Sequence, residues 1–415
     1  MATLRSILRA RRALLLTAAV LLWASLPSLP QQAPAGLPEG VSPLPAELDR
    51  RLQELLAETE TIRGLKAKHP VPSGIVEEKD LPAKVAAALR EELPPDRLRA
   101  AEAGLKAFGL LPASLDLARY FPALLASQVA GYYDPERRYL AVVHRGGEAR
   151  QMDEMVLVHE LTHAIQDQAF DLRHFIDDDP LSDEATARTA LVEGDASLVM
   201  LDWLAERPEN GLNAAEPPDL PGAKEMAAAP PWVRDTLELG YVEGYLFCLS
   251  VRQKGGQKLL DDAFSQDPPR SSEQILHPEK WHTQRDDPIP LSWPDLSRAL
   301  PGARKLAEGQ LGELGIGILL RQATGDRELS AAAAAGWGGD RFAVYEKDGR
   351  RLLAWLTEWD SEGDARELRA AARRLGKDWV VEPVEPRRPR RVVILRGPWK
   401  RGEAKAVRRA LAGAD

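Results

Sequence analysis

Leucines recur among charged residues at three- and four-residue spacing along residues 47–66, which predicts an amphipathic helix. Residues 82–93 and 95–108 repeat the pattern, so residues 36–120 are expected to form a helical N-terminal region in which nothing points to chemistry. The rhythm changes near residue 125. Val129-Ala130-Gly131-Tyr132-Tyr133 and Arg138-Tyr139-Leu140-Ala141-Val142-Val143 are rich in aromatic and β-branched residues, and they flank Asp134-Pro135-Glu136-Arg137, which has the composition of a turn. A hairpin is predicted there. The stretch from Met152 to Ile165 is apolar on nearly every face and predicts a buried helix. A further helix over residues 183–204 is expected to start from Ser182 as N-cap.

Beyond Gly302 the order is strand 342–346, turn Asp348-Gly349, strand 351–357 and helix 363–375, followed by strands 379–384 and 392–396 and helix 401–411. This gives two strand-strand-helix halves. The basic cluster at residues 387–391 is expected to be a solvated loop, with Pro389 discouraging edge pairing, and Trp337 is expected to be packed. The fold class that follows is α+β. Residues 121–295 would form a mainly helical domain with a short hairpin ahead of its buried helix, and residues 296–415 a smaller α+β domain.

Composition narrows the picture. With 415 residues, 44% of them hydrophobic and 28% charged, the chain can build sizeable cores and is not disordered. A net charge of -8 gives no general attraction to nucleic acid or anionic lipid, so no nucleic-acid partner is expected. Arg5, Arg9, Arg11 and Arg12 precede an apolar run over residues 13–26, followed by prolines and small residues. That is the pattern of an export signal, and residues 1–35 are expected to carry it with its spacer. The run is shorter than the roughly 20 residues of a spanning helix, yet both cleavage after Ala24 or Ala35 and retention as an anchor stay open. The protein is therefore expected in the periplasm, cell envelope or extracellular space, touching membrane only through that segment. Cys248 is the only cysteine, so no internal disulfide can form, and its apolar neighbours predict a small core residue.

The buried helix contains His159-Glu160-Leu161-Thr162-His163. Histidines four apart lie on one helical face, where both imidazoles can close on one metal ion, and Glu160 can reach a water held there. Burying these groups without a cation would be unfavourable by several kcal/mol. One zinc ion per chain is expected, with His159 and His163 as ligands and Glu160 as general base. For the third ligand, Glu184 and Glu193 compete; nine residues apart, they lie on opposite faces of one helix. Glu184 sits in the first turn, where acidic residues complement the helix dipole. Glu193 sits among apolar and small residues and is favoured, and Gly194 would let its helix approach the histidine helix closely. His174 and Asp177 read as solvated, while Asp167 is a candidate to orient an imidazole. Tyr241 and His277 are candidates to stabilise an oxyanion, the alternative for each being a buried, hydrogen-bonded structural side chain.

His159-Glu160-Leu161-Thr162-His163 with a glutamate on a following helix resembles the gluzincin class of zinc peptidases, to which thermolysin belongs. The wider chain is similar to a group of bacterial envelope proteins regarded as metallopeptidases, through Val129-Ala130-Gly131-Tyr132-Tyr133-Asp134-Pro135, residues 158–172, Leu191-Val192-Glu193-Gly194-Asp195-Ala196 and residues 268–280. The interval from His163 to Glu193 is longer than in thermolysin. The resemblance implies a zincin-like fold and a peptide or protein substrate. It also implies that Gly131, Tyr132 and Tyr133 form the rim strand that pairs with extended substrate. The alternative left open is an envelope scaffold protein that binds zinc without turnover.

Overall fold

Helices form where the apolar spacing predicts them, and most of their ends move by only one to three residues. The computed structural model describes residues 36–144, 151–176, 179–207, 223–385 and 388–413; the apolar run at 13–26, Asp177 and Arg387 lie outside the described residues. In chain order the main elements are β1 (Ser42–Pro43), α1 (Ala46–Arg63), β2 (Ser73–Glu77), α2 (Leu81–Glu92), α3 (Pro95–Phe108), α4 (Leu117–Gln128), β3 (Gly131–Asp134) and β4 (Tyr139–His144). Then come α5 (Gln151–Phe170), α6 (Asp183–Ala205), the long kinked α7 (Pro231–Ser265) and the short α8 (Ser272–Leu276). The C-terminal part holds β5 (Arg304–Gly309), α9 (Gly312–Thr324), α10 (Arg327–Ala334), β6 (Trp337–Lys347), β7 (Arg350–Trp359), α11 (Glu362–Ala372), β8 (Trp379–Glu385), β9 (Arg388–Arg396) and α12 (Arg401–Ala412). The molecule is mixed α+β, mostly helical, with two small sheets.

The first sheet has the order β1-β2-β4-β3. The predicted hairpin is present, but β2, from the region expected to be wholly helical, joins β4 in parallel with Ser73 opposite Leu140. That leaves β3 as a free edge. Val143 N–H donates to Ala130 O, and Tyr132 faces Ala141 across the ladder, so the backbone groups of Gly131 and Tyr133 point away from β4. They point toward α5, which packs against β3.

Helices α5, α6 and α7 form the centre of the first unit. The Ser182 hydroxyl caps α6 by accepting from Ala185 N–H, as predicted. Gly194 does permit a close helix crossing, but the partner is α7 rather than α5: a Cβ on Gly194 would lie 2.1 Å from the backbone carbon of Gly244, and one on Gly244 would lie 2.0 Å from Ala190 O. No side chain can occupy either position without separating the helices. Gly194→Ala is expected to cost about 3 kcal/mol through overpacking, measurable as a lowered urea midpoint with an unchanged slope.

In the second sheet the order is β5-β6-β7-β9-β8, all antiparallel. Its core reaches back into the N-terminal region, because Phe108 of α3 meets Phe342 and Trp355 edge-on at 4.9 and 5.1 Å. Helix α3 thus belongs to the packing of the C-terminal sheet. The basic cluster departs from expectation: Arg388, Pro389, Arg390 and Arg391 are part of β9, not a solvated loop. Glu358 provides the reason, since it pairs with Arg391 at 2.6 Å and Arg390 at 3.6 Å, and Pro389 lies beyond the last residue paired with β7. Trp337 is buried and donates its indole N–H to Asp340. Cys248 is a buried core residue.

The two units are joined through residues 268–287. Lys280 Nζ binds Glu273 at 2.6 Å, Asp286 at 2.8 Å and Asp360 at 2.9 Å. Ser272 accepts from Leu314 N–H and donates its own backbone N–H to Asp183. The distinctive block at residues 268–280 therefore has a structural task. No described helix is long and apolar enough to cross a membrane.

Candidate metal centre

Helix α5 presents His159, Glu160 and His163, all fully buried, with ligand atoms within 4.8 Å of one another. Helix α6 lays Glu193 against them: its Oε2 is 3.2 Å from His159 Nε2 and 3.8 Å from His163 Nε2. Glu184 is excluded from the site, being half-exposed and paired with Arg188 one turn on. The opposite-face geometry of α6 thus delivers one carboxylate inward and the other outward.

The tautomer of His163 can be deduced. Gln166 spends its amide N–H groups on Val192 O at 3.2 Å and Asp195 Oδ2 at 2.8 Å, so its Oε1 must be the acceptor facing His163 Nδ1 at 2.9 Å. His163 Nδ1 therefore carries the proton, and Nε2 is a bare lone pair. That Nε2 is buried without a hydrogen-bond partner and faces a carboxylate oxygen. Two electron-rich atoms turned toward each other in a dry interior make a place where a cation would be favourable. Ligands about 2.1 Å from a tetrahedral ion stand about 3.4 Å apart, and the observed 3.2 and 3.8 Å bracket that separation. The residues fit a zinc ion.

Electrostatics point the same way. Burial lowers the His159 imidazole to about 3, and burial together with His159 lowers His163 to about 4, so both are neutral, as ligands must be. Burial also raises Glu193 to about 7 and pushes Glu160 well above the usual carboxylate range. The largest cause of each shift is burial, which disfavours the charged form.

Glu160 differs from Glu193 in its partners. Its Oε2 accepts the backbone N–H of Tyr133 at 2.8 Å, while Oε1 is buried and unpartnered. One oxygen is anchored and the other is free. Tyr241, from α7, is hydrogen-bonded to Glu193 and places its ring 5.9 Å from that of His159, so this oxyanion candidate is in the site. His277 is not: its Nε2 is held by Glu313 Oε1 at 2.9 Å, which raises its pKa, and no hydrogen bond or ion pair joins it to the histidine pair. Gly131, Tyr132 and Tyr133 do lie beside the site, but all three are buried, and the outward N–H of Tyr133 is already taken by Glu160.

Asp167, named as a candidate to orient an imidazole with a solvated carboxylate as the alternative, is neither: it is buried and turned elsewhere. Asp167 accepts from Tyr133 Oη at 2.9 Å and from Leu172 N–H, and touches no histidine. Gln166 does the orienting, and it is fixed by Asp195, which in turn is held by Arg63 Nε at 2.7 Å. Arg63, 1% exposed, also reaches Asp261 at 2.8 Å. Helix α1 therefore contributes to the site through Arg63, although its pattern suggested only a plain amphipathic helix. His174 is half-exposed and paired with Asp171. A second acidic group, Glu273 with Asp286 and Asp360, already has the Lys280 ammonium at its centre.

Residues 299–413 match a protein family described as a domain of unknown function (DUF8575), which covers the C-terminal sheet and none of the groups around His159. No curated protein and no solved structure matches the chain.

Proposed function

We propose that this chain is an exported zinc-dependent hydrolase, a peptidase of gluzincin type on a zincin-like domain, with residues 36–120 as an N-terminal segment that is helical apart from β1 and β2, and 296–415 as a C-terminal domain against which α3 packs. The observation that carries the reading is the buried, unpartnered Nε2 of His163 facing Glu193 Oε2 beside His159. His159, His163 and Glu193 would hold the ion. Zinc in this position supplies Lewis acidity, polarising a carbonyl and lowering the pKa of water.

The chain's own groups provide the remaining chemistry. The free Oε1 of Glu160 takes the proton of the attacking water and returns it to the leaving amine. Tyr241, once its single O–H turns from Glu193, would stabilise developing negative charge. Extended peptide pairs with the outward groups of Gly131 and Tyr133 on the β3 edge. For that the Tyr133 N–H must leave Glu160, so strand binding and release of the base are one event.

The burial of every one of these groups favours a second reading, a scaffold that binds zinc without turnover. Zinc titration of metal-free protein comes first, and one equivalent per chain is expected. Glu193→Gln should weaken binding at least tenfold. Because Glu193 must shed its proton to bind the ion, affinity should rise tenfold per pH unit up to about 7 and level off above it. The histidines, at about 3 and 4, contribute no slope above pH 5. Absence of stoichiometric zinc in the wild type would remove both readings.

A further inference from the structure

Helix α7 has two working faces. Gly240, Tyr241 and Gly244 face α6 and the candidate metal centre, whereas Asp235, Glu238 and Val242 line a partly open cavity of about 410 Å³ whose other walls come from α8, α9 and α10. The cavity lies at the junction of the two units and has the size of a small-ligand site. Its apolar wall is Val242, Leu276, Leu314, Ile318, Ala331 and Ala334.

Two features show that this space is kept open. Gly317 lies in the wall without a positive φ, and a Cβ there would meet nothing nearer than Ala334 Cβ at 3.8 Å. Packing does not require glycine, and a larger side chain would bury more apolar surface. Across from it, beyond Arg327 at the start of α10, the wall is made of Ala331, Ala332, Ala334 and Ala335.

The polar groups define what could enter. Glu313 is 4% exposed; its Oε1 accepts from His277 Nε2, and its Oε2 is buried with no donor. A buried carboxylate oxygen without a donor is a standing cost that a ligand N–H would relieve. Of the other charged groups in the lining, Arg321 is engaged by Asp235 and His277 by Glu313, while Glu238 stands on α7 and Arg327 lies opposite in an exposed position. We propose that this cavity binds a small apolar primary amine, its ammonium donating to Glu313 and its hydrocarbon body lying between Ile318, Leu314 and the alanines of α10. The site is separate from the metal centre and does not depend on it.

Calorimetric titration of the full chain with n-octylamine, with octanoate and octan-1-ol as matched probes, tests this. Saturable binding of about one octylamine per chain is expected, at least tenfold tighter than either control. Glu313→Gln should reduce octylamine to the level of octanol, and Gly317→Leu, which fills the cavity, should abolish binding of all three. Ala331→Met fills it from the opposite wall and serves if the first filled variant does not give a native melting transition. No saturable octylamine heat, equal affinity for octanoate, or undiminished binding in a folded, filled variant would overturn the proposal.

Discussion

Glu160→Gln is expected to keep its zinc and to lose peptide cleavage by about 10³-fold, the scale on which a positioned general base acts. The geometry separates the two effects. Glutamine is nearly isosteric, and its carbonyl oxygen can still accept the Tyr133 N–H that holds Glu160 Oε2, so the side chain stays where it is. What disappears is the second carboxylate oxygen, which is the one with no partner. The ion's expected ligands are untouched, because Glu193 Oε2 faces both imidazoles. Metal content by elemental analysis and cleavage of a mixed peptide library by mass spectrometry read the two quantities independently. A variant that cleaves like wild type would remove Glu160 as base; a variant that loses zinc would make it a ligand; and zinc without cleavage in either protein would favour the scaffold.

The parts of this site that the sequence reveals are those set by local periodicity. Spacing alone puts His159 and His163 on one face of α5 and Glu184 and Glu193 on opposite faces of α6, and the apolar flanks of both segments announce their burial. The Ser182 cap and the hairpin of β3 and β4 are likewise local. What stayed hidden depends on which distant element comes to lie alongside. Nothing in residues 73–77 foretells a strand parallel to β4, because a five-residue strand carries too little pattern to select its partner. Asp167 and Gln166 are adjacent in the chain and both polar, and only the elements that come to lie alongside, α6 for Gln166 and β3 for Asp167, decide that Gln166 turns to His163 and Asp167 to Tyr133. Gly194 signalled a close approach correctly, but helical glycine says nothing about which helix arrives. The cluster at 387–391 reads as loop from its charge, until Glu358 on the neighbouring strand supplies the counter-charge.

Arg63→Met is expected to destabilise the fold by about 3–5 kcal/mol, since it leaves Asp195 as an uncompensated charge in the interior. The same substitution should weaken zinc binding roughly 10- to 100-fold, the usual effect of removing the support behind a ligand. The path is explicit: Arg63 fixes Asp195, Asp195 fixes the amide of Gln166, and Gln166 Oε1 holds the proton of His163 on Nδ1 so that Nε2 keeps its lone pair. Gln166→Leu cuts the path at its last link while leaving the Arg63–Asp195 pair in place. It should therefore reproduce much of the loss in zinc affinity at a smaller loss in stability, about 1–3 kcal/mol for the unpaired groups it leaves. Urea denaturation of metal-free protein and zinc competition against a chromophoric chelator give the two axes. Were Arg63 only a structural ion pair, Arg63→Met would melt earlier but bind zinc as tightly as wild type when folded, and Gln166→Leu would leave affinity unchanged. A buried ion pair stabilises a fold no better than apolar packing of similar volume. Its place behind Gln166 fits a role in holding the imidazole that Gln166 contacts.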